Sequence, residues 1–276
     1  MTGKAIFDAI RAAGLAPVKD LALRGDGKLL RYRVAGDKAG SRNGWVVLND
    51  GVVSFGAFGS WKTGESHTWR SGSENVMTPS QREDFRRQMI AATIARDQER
   101  QKVREEARVR AQKLWERGKP ATNAHPYLQR KRVGAHGIRQ LRDMLMIPAR
   151  DASGALWTLQ FIQADGTKRF LTGGRIEGCY FAMGKPEGRV IVCEGLATGS
   201  TLREAVGAAV ACAFSCGNLL PVCLALRKKF PQLAIVVCAD NDHATLGNPG
   251  VTSAKAAAKA VRGVVCIPSF EGVSHG

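Results

Sequence analysis

Arg189-Val190-Ile191-Val192-Cys193-Glu194-Gly195 and Ile235-Val236-Val237-Cys238-Ala239-Asp240-Asn241-Asp242 are the two stretches that decide how this sequence folds. Each is a short, unbroken apolar run closed by acid. A run of that length, rich in β-branched residues, predicts a strand buried on both faces, as in a parallel sheet. The neighbouring segments complete the pattern. Residues 197–206 read as a helix ending near Gly207, 208–214 as a second strand and 219–230 as a helix. Residues 233–239 give the third strand, 252–261 a helix and 264–267 a fourth strand. Strand and helix in alternation predict an α/β domain, a doubly wound parallel sheet of about four strands. In such sheets ligands sit beyond the carboxyl ends of the strands. Glu194-Gly195, Ser215-Cys216-Gly217-Asn218 and Asp240-Asn241-Asp242 occupy those ends.

Three carboxylates at neighbouring strand ends repel one another unless cations sit between them. Asp240 and Asp242 flank a single residue, so both can face the same side of a turn. A set of oxygen donors like this suits Mg²⁺ or Mn²⁺. An Asp-x-Asp alone is common in surface turns. Its pairing with Glu-Gly at the end of another buried strand is much more specific.

The charge of the chain points the same way. Its 276 residues carry 41 Lys and Arg against 24 Asp and Glu, a formal net charge of +17. An excess of that size implies a polyanionic partner. It is concentrated in residues 81–150, with 18 basic and 8 acidic side chains, whereas residues 151–276 hold 12 and 9. From Pro79-Ser80-Gln81-Arg82-Glu83, where Ser80 and Glu83 have the spacing of a capping box, no Gly or Pro interrupts until Gly118 and Pro120. This predicts a long basic helix with sparse apolar positions. A solvated spacer laced with Glu–Arg pairs and a strut lying along nucleic acid both fit it.

Residues 20–70 contain short β-like runs, 29–34, 44–48 and 52–58, with a hairpin signal at Asn49-Asp50-Gly51. Trp45, Trp61 and Trp69 fall here. Such rings form the core of a small antiparallel domain, or else a stacking platform for single-stranded bases flanked by Arg31, Arg33, Arg42 and Lys62.

The seven cysteines all lie between positions 179 and 266, several inside apolar runs, where free Cys acts as a small apolar residue. No Cys-x-x-Cys occurs and the five His are scattered, so no zinc site is expected. An odd Cys count without a secretory leader predicts a reducing cytoplasm, and no apolar run is long enough for a membrane span.

Cys193-Glu194-Gly195 with Asp240-Asn241-Asp242 resembles the Toprim module of bacterial primases, topoisomerases and some nucleases. Upstream, Tyr127-Leu128-Gln129-Arg130-Lys131-Arg132-Val133 is similar to the Tyr-Leu-x-x-Arg-Gly stretch that opens the polymerase domain of DnaG-type primases. Ile147-Pro148-Ala149-Arg150-Asp151-Ala152-Ser153-Gly154 resembles their Pro-x-Arg-Asp-x-x-Gly turn, Lys168-Arg169-Phe170-Leu171-Thr172-Gly173 their Lys-Tyr-Leu-Asn-Ser motif, and Gly178-Cys179-Tyr180 their Leu-Tyr-Gly stretch. The order holds over residues 120–266, and the wording is closest to Toprim primases of plasmids and phages, the TraC-like type.

The resemblance implies a DNA primase that makes short RNA primers on single-stranded DNA from NTPs, with a replicative helicase or other replication proteins as further partners. It implies catalytic and metal-binding roles for Glu194, Asp240 and Asp242 with Mg²⁺ or Mn²⁺. It implies nucleic-acid or nucleotide contacts from Arg130, Arg150, Lys168, Arg169, Arg175 and Asn218, the last also placed at a helix N-terminus. The expected organisation is a β-rich domain over 1–78, the basic helix over 79–119, the N-terminal part of a primase RNA-polymerase domain over 120–186 as an α+β subdomain, and Toprim over 187–276. Two departures stand out. The zinc-binding domain of DnaG primases has no counterpart, since residues 1–110 contain no Cys. Relatives often continue beyond the fourth strand, so the sequence reads as open to being a piece of a longer chain. A Toprim nuclease using the same carboxylates, and a single-strand-binding accessory protein of a mobile element, are the alternatives. A topoisomerase would need a nucleophilic Tyr, and Tyr32, Tyr127 and Tyr180 lack supporting context.

Overall fold

The computed structural model describes residues 2–51, 53–60, 62–63, 65–72, 78–242, 245 and 247–268. Trp61, Val52, His243 and residues 269–276 lie outside the described residues. The chain divides into two compact units, 1–98 and 99–276.

The first unit begins with helix α1 (Thr2–Ala12), then strands β1 (Leu30–Tyr32), β2 (Gly44–Asn49), β3 (Phe55–Ser60) and β4 (Ser66–Arg70). The four strands form an antiparallel sheet in the order β1-β2-β3-β4. Asn49 pairs with Phe55 across the hairpin that Asn49-Asp50-Gly51 signals. The α1 helix was not expected. Its apolar signal is the i, i+4 pair Ile6 and Ile10, both wholly buried against Tyr32, Val34, Val46, Leu48 and Phe58. Trp45 is buried and Trp69 packs against the same core, which settles those two rings as structural.

Helix α2 (Pro79–Arg117) starts one residue before the expected capping box. The Arg82 N–H already donates to the Thr78 carbonyl, so Ser80 lies inside the helix and Pro79 takes its first position. In the second unit the end of α2 is far from a bare solvated spacer. Ala107 and Ala111 are wholly buried, and Leu114 and Trp115 pack on Met146, Leu156, Leu159 and Phe161. Those residues belong to an antiparallel sheet of β5 (Lys119–Pro120), β6 (Arg139–Leu141), β7 (Met144–Arg150), β8 (Leu156–Ile162) and β9 (Lys168–Phe170), in sequence order. Between β5 and β6, the short helix α3 (Pro126–Lys131) is capped by His125, whose Nδ1 accepts from the Tyr127 N–H.

The remaining elements are β10 (Phe181–Met183), β11 (Arg189–Cys193), α4 (Leu196–Val206), β12 (Ala209–Cys212), α5 (Leu219–Lys229), β13 (Ala234–Cys238), α6 (Pro249–Ala260) and β14 (Val264–Cys266). The sheet order is β10-β12-β11-β13-β14, and β12, β11, β13 and β14 run parallel. The four predicted strands are therefore present and parallel. A fifth, β10, pairs antiparallel with β12 and comes from the segment before the α/β region. The parallel strands are apolar on both faces, as the unbroken runs required: Val190 and Val192 pack with α5 and α6 residues, Ile191 and Cys193 with Tyr127, Leu128 and Leu196.

Candidate active site

Glu194 is the first residue beyond β11, and Asp240 and Asp242 follow β13, its parallel neighbour. The pairing of Val192 with Val237 puts the two strand ends level. Glu194 and Asp240 are half-buried, and Asp242 is exposed.

The three carboxylates act on one another. Burial pushes the Glu194 carboxyl up to about 7, the negative charges of Asp240 and Asp242 add to the rise, and the Cys216 backbone N–H opposes it. Asp240 is raised as well, by burial first and Asp242 second, while Lys168 pulls it back. One Glu194 oxygen, Oε1, is buried and has no hydrogen-bond partner among the described residues. A carboxylate oxygen kept out of water without a donor is costly, and a bound cation is a normal way to satisfy it. The donor set is all carboxylate oxygen, which fits a hard divalent ion. The side chains are not drawn around one point, however: among the described residues no three His, Cys, Asp or Glu groups are gathered tightly enough to hold an ion.

The Asp-x-Asp turn is shaped by a residue that the sequence reading did not single out. Asn248 caps α6 in a left-handed conformation, φ 40°. Its Oδ1 accepts from the Asp242 and Val251 N–H groups, and its Nδ2 donates to Asn241 Oδ1. Asn241 in turn donates to the Pro268 carbonyl. The signal was present as Asn248-Pro249-Gly250, a cap followed by proline at the first helical position. Helix α6 accordingly begins at Pro249, three residues before the expected Thr252.

Of the cations expected to meet nucleic acid, Lys168 is the one whose charge pulls the Asp240 carboxyl down. Its ammonium also lies 5.9 Å from the Tyr127 ring centroid, the same distance as the Arg130 guanidinium. Arg130 donates to the Ala164 carbonyl, and both side chains are exposed. Arg169 is exposed too, with one amino group 3.5 Å from the Met144 sulfur.

Three of the expected contact residues have partners within the fold. Asn218 does not offer its amide to a ligand. It is buried, with Oδ1 accepting from the Gly178 N–H and Nδ2 donating to the carbonyls of Ile176, Cys179 and Ala213. Its side chain is fully used in tying the 176–179 loop to the end of β12. Arg175 lies 4.3 Å from the Trp157 ring centroid, donates to the Glu177 carbonyl and pairs with Asp151 at 3.7 Å. Arg150 donates to the Gly154 carbonyl and lies 5.8 Å from the Trp115 ring centroid. Each guanidinium is thus engaged by groups of the fold through part of its donor set.

The cysteines are more ordered than their scatter in sequence suggested. All four parallel strands end on one, and the register sets Cys212 beside Cys193 and Cys238 beside Cys266. The Cys193 and Cys212 sulfurs are 3.9 Å apart. The row runs from buried Cys212 to exposed Cys266, with Glu194 one residue beyond Cys193 and Asp240 two beyond Cys238.

Comparison with known proteins bears on this arrangement. Residues 189–268 match the family model of the Toprim domain. Two curated proteins, each a DNA primase TraC from Escherichia coli, are similar to the chain. One is 35% identical over 89% of this chain and 24% of its own length. The other is 33% identical over 98% of this chain and 19% of its own length. The chain thus spans a quarter or less of these relatives. Among solved structures, the primase fragment of the bacteriophage T7 primase-helicase protein overlays with a TM-score of 0.40 at 13% identity, covering 56% of this chain and 66% of that one.

Proposed function

With a Toprim domain on residues 189–268, we propose that this chain is the primase portion of a TraC-like protein, joining ribonucleotides into short primers on single-stranded DNA for plasmid or phage replication. The observation that carries the reading is the half-buried Glu194 carboxylate, with its Oε1 left without a hydrogen-bond partner among the described residues, beside Asp240 and Asp242 at the ends of adjacent parallel strands.

Primer synthesis joins a 3′ hydroxyl to the α-phosphate of an incoming nucleotide. Asp240 and Asp242, with Glu194, would hold Mg²⁺ or Mn²⁺, which when bound neutralises triphosphate charge. Glu194 would take the acid–base part beside the ion, accepting the hydroxyl proton. Lys168, with Arg130 and Arg169, supplies positive charge for the phosphates on the exposed side of β9 and α3. The strongly basic stretch 81–150 holds the template strand, a task that needs charge rather than chemistry. No described helix is long and apolar enough to cross a membrane. A replicative helicase is the natural further partner of such an enzyme.

The test is NTP incorporation on short single-stranded templates. Product from the wild type and none from a folded Asp240→Ala variant supports the reading. Template cleavage with Mn²⁺ and no NTPs would instead assign a nuclease. Salt-sensitive binding without product, unchanged in Asp240→Ala, would assign an accessory binding protein.

A further inference from the structure

Two side-chain amides form a relay behind the Asp-x-Asp turn. The Asp242 N–H donates to Asn248 Oδ1 at 3.1 Å. Asn248 Nδ2 donates to Asn241 Oδ1 at 2.8 Å, and Asn241 Nδ2 donates to the Pro268 carbonyl at 3.0 Å. Each end of the relay is a backbone group of fixed polarity. An N–H can only donate and a carbonyl can only accept, so the orientation of both amides follows from their partners. A carboxylate in either place would set oxygen against oxygen at one of the links.

Asn248 also serves the head of α6. Its Oδ1 accepts from the Val251 N–H at 3.4 Å, and its carbonyl accepts from the Thr252 N–H. Its own N–H donates to the Thr245 carbonyl, and the Thr245 N–H donates back to the Asp242 carbonyl. The left-handed φ of 40° is one that Asn and Asp adopt more readily than other residues with a side chain. Capping alone would be served as well by Asp. The bond to Asn241 needs the amide.

The relay fixes the peptide plane that enters Asp242, and so the direction in which this carboxylate leaves the backbone. Asn241 and Asn248 are half-buried, whereas Asp242 is exposed. An exposed acid on an unsupported turn has to be ordered when it takes an ion, at an entropic cost. Here the turn is tied on one side to α6 and on the other to the residue two beyond β14, so that ordering is complete once the chain has folded.

We infer that Asn248 and Asn241 are positioning residues for the divalent cation, raising its affinity through Asp242 rather than by ligating it. The inference rests on the proposed role of Glu194, Asp240 and Asp242 as holders of Mg²⁺ or Mn²⁺. Loss of outer partners of this kind costs about 10–100-fold in metal affinity or activity.

The test measures Mn²⁺ binding to the full chain without nucleotide, from the electron paramagnetic resonance signal of the free ion, beside NTP incorporation. Asn248→Asp is the discriminating variant. It keeps the cap on α6 and the acceptor for the Asp242 N–H, opposes Asn241 with an oxygen, and adds a negative charge next to the turn. Electrostatic attraction alone predicts tighter Mn²⁺ binding, whereas a broken relay predicts binding about 10–100-fold weaker. Asn241→Ala breaks the relay while leaving the bonds at the head of α6 in place, and should weaken Mn²⁺ binding over the same range. Melting in EDTA reports that each variant is folded; should Asn248→Asp fail to fold, Asn241→Ala decides alone. NTP incorporation should need proportionally more Mn²⁺ and recover its maximal rate at saturation, a shift that mere loss of folded protein would not produce. Affinity at or above that of the wild type in either folded variant overturns the inference, as does Mn²⁺ binding that Asp240→Ala leaves unchanged. Weakened Mn²⁺ binding in a chain that makes no primer supports the inference and counts against the primase reading. Unchanged Mn²⁺ binding with primer synthesis intact does the reverse.

Discussion

Gly250 and Asp240 are in closer contact than any other residue type at position 250 would permit. A Cβ there would stand 2.3 Å from the Asp240 carbonyl oxygen and 3.2 Å from Glu194 Oε1. The first turn of α6 is thus laid directly on the backbone that carries the carboxylates. Gly250→Ala should force the turn apart, costing about 1–3 kcal/mol by thermal unfolding and most of the NTP incorporation. Unchanged incorporation would show that the turn has slack.

Glu194→Gln should separate stability from activity. The folded-state carboxyl is raised to about 7, above its ordinary value of 4.5, so folding is penalised as pH rises through that interval. Below about pH 4.5 the native and variant proteins should unfold alike, because both are neutral at this position. At pH 8 in EDTA the variant should be more stable by roughly 1–3 kcal/mol, while primer synthesis is lost. Equal melting temperatures at pH 8 would contradict the burial argument.

Asn218→Ala should behave as a stability mutation rather than a nucleotide-binding one. It strands the Gly178 N–H and removes the donor to three carbonyls. The expected cost is about 2–4 kcal/mol, with KM for NTPs unchanged in whatever protein remains folded. A raised KM at full stability would restore Asn218 to the ligand.

Gly199→Ala tests how tightly α4 lies on the thiol row. A Cβ at that position would meet the Cys212 sulfur at 2.3 Å and the Cys193 sulfur at 3.1 Å. Destabilisation of about 1–3 kcal/mol is expected. Cys212→Ala in the same chain should relieve part of it, which a double-mutant cycle would register.

The α/β region was legible because both of its signals are local. Unbroken apolar runs mark strands buried on two faces, and Gly207, left-handed at φ 66°, marks a helix end wherever it occurs. The acids at the strand ends were legible for the same reason. What stayed hidden depends on partners distant in sequence. Lys168 could be named from its motif, but its effect on Asp240 follows from the packing of separate elements. Asn218, Arg150 and Arg175 carry groups that recognise phosphate in one setting and satisfy carbonyls, rings and carboxylates in another. Only the fold decides which. The buried end of α2 was obscured because apolar positions are sparse along the helix as a whole, and two of the buried ones, 107 and 111, are alanines.

Strand β10 has a consequence for any attempt to isolate the carboxylates on a smaller fragment. It covers the flank of β12 through Phe181, Ala182 and Met183, opposite Cys212, Ala211 and Val210. A piece cut at residue 187 would uncover a row of unpaired backbone groups on an apolar strand, a template for self-association. A soluble fragment has to begin before Phe181, and the bridge between Arg150 and Tyr180 ties that starting point to the preceding antiparallel sheet.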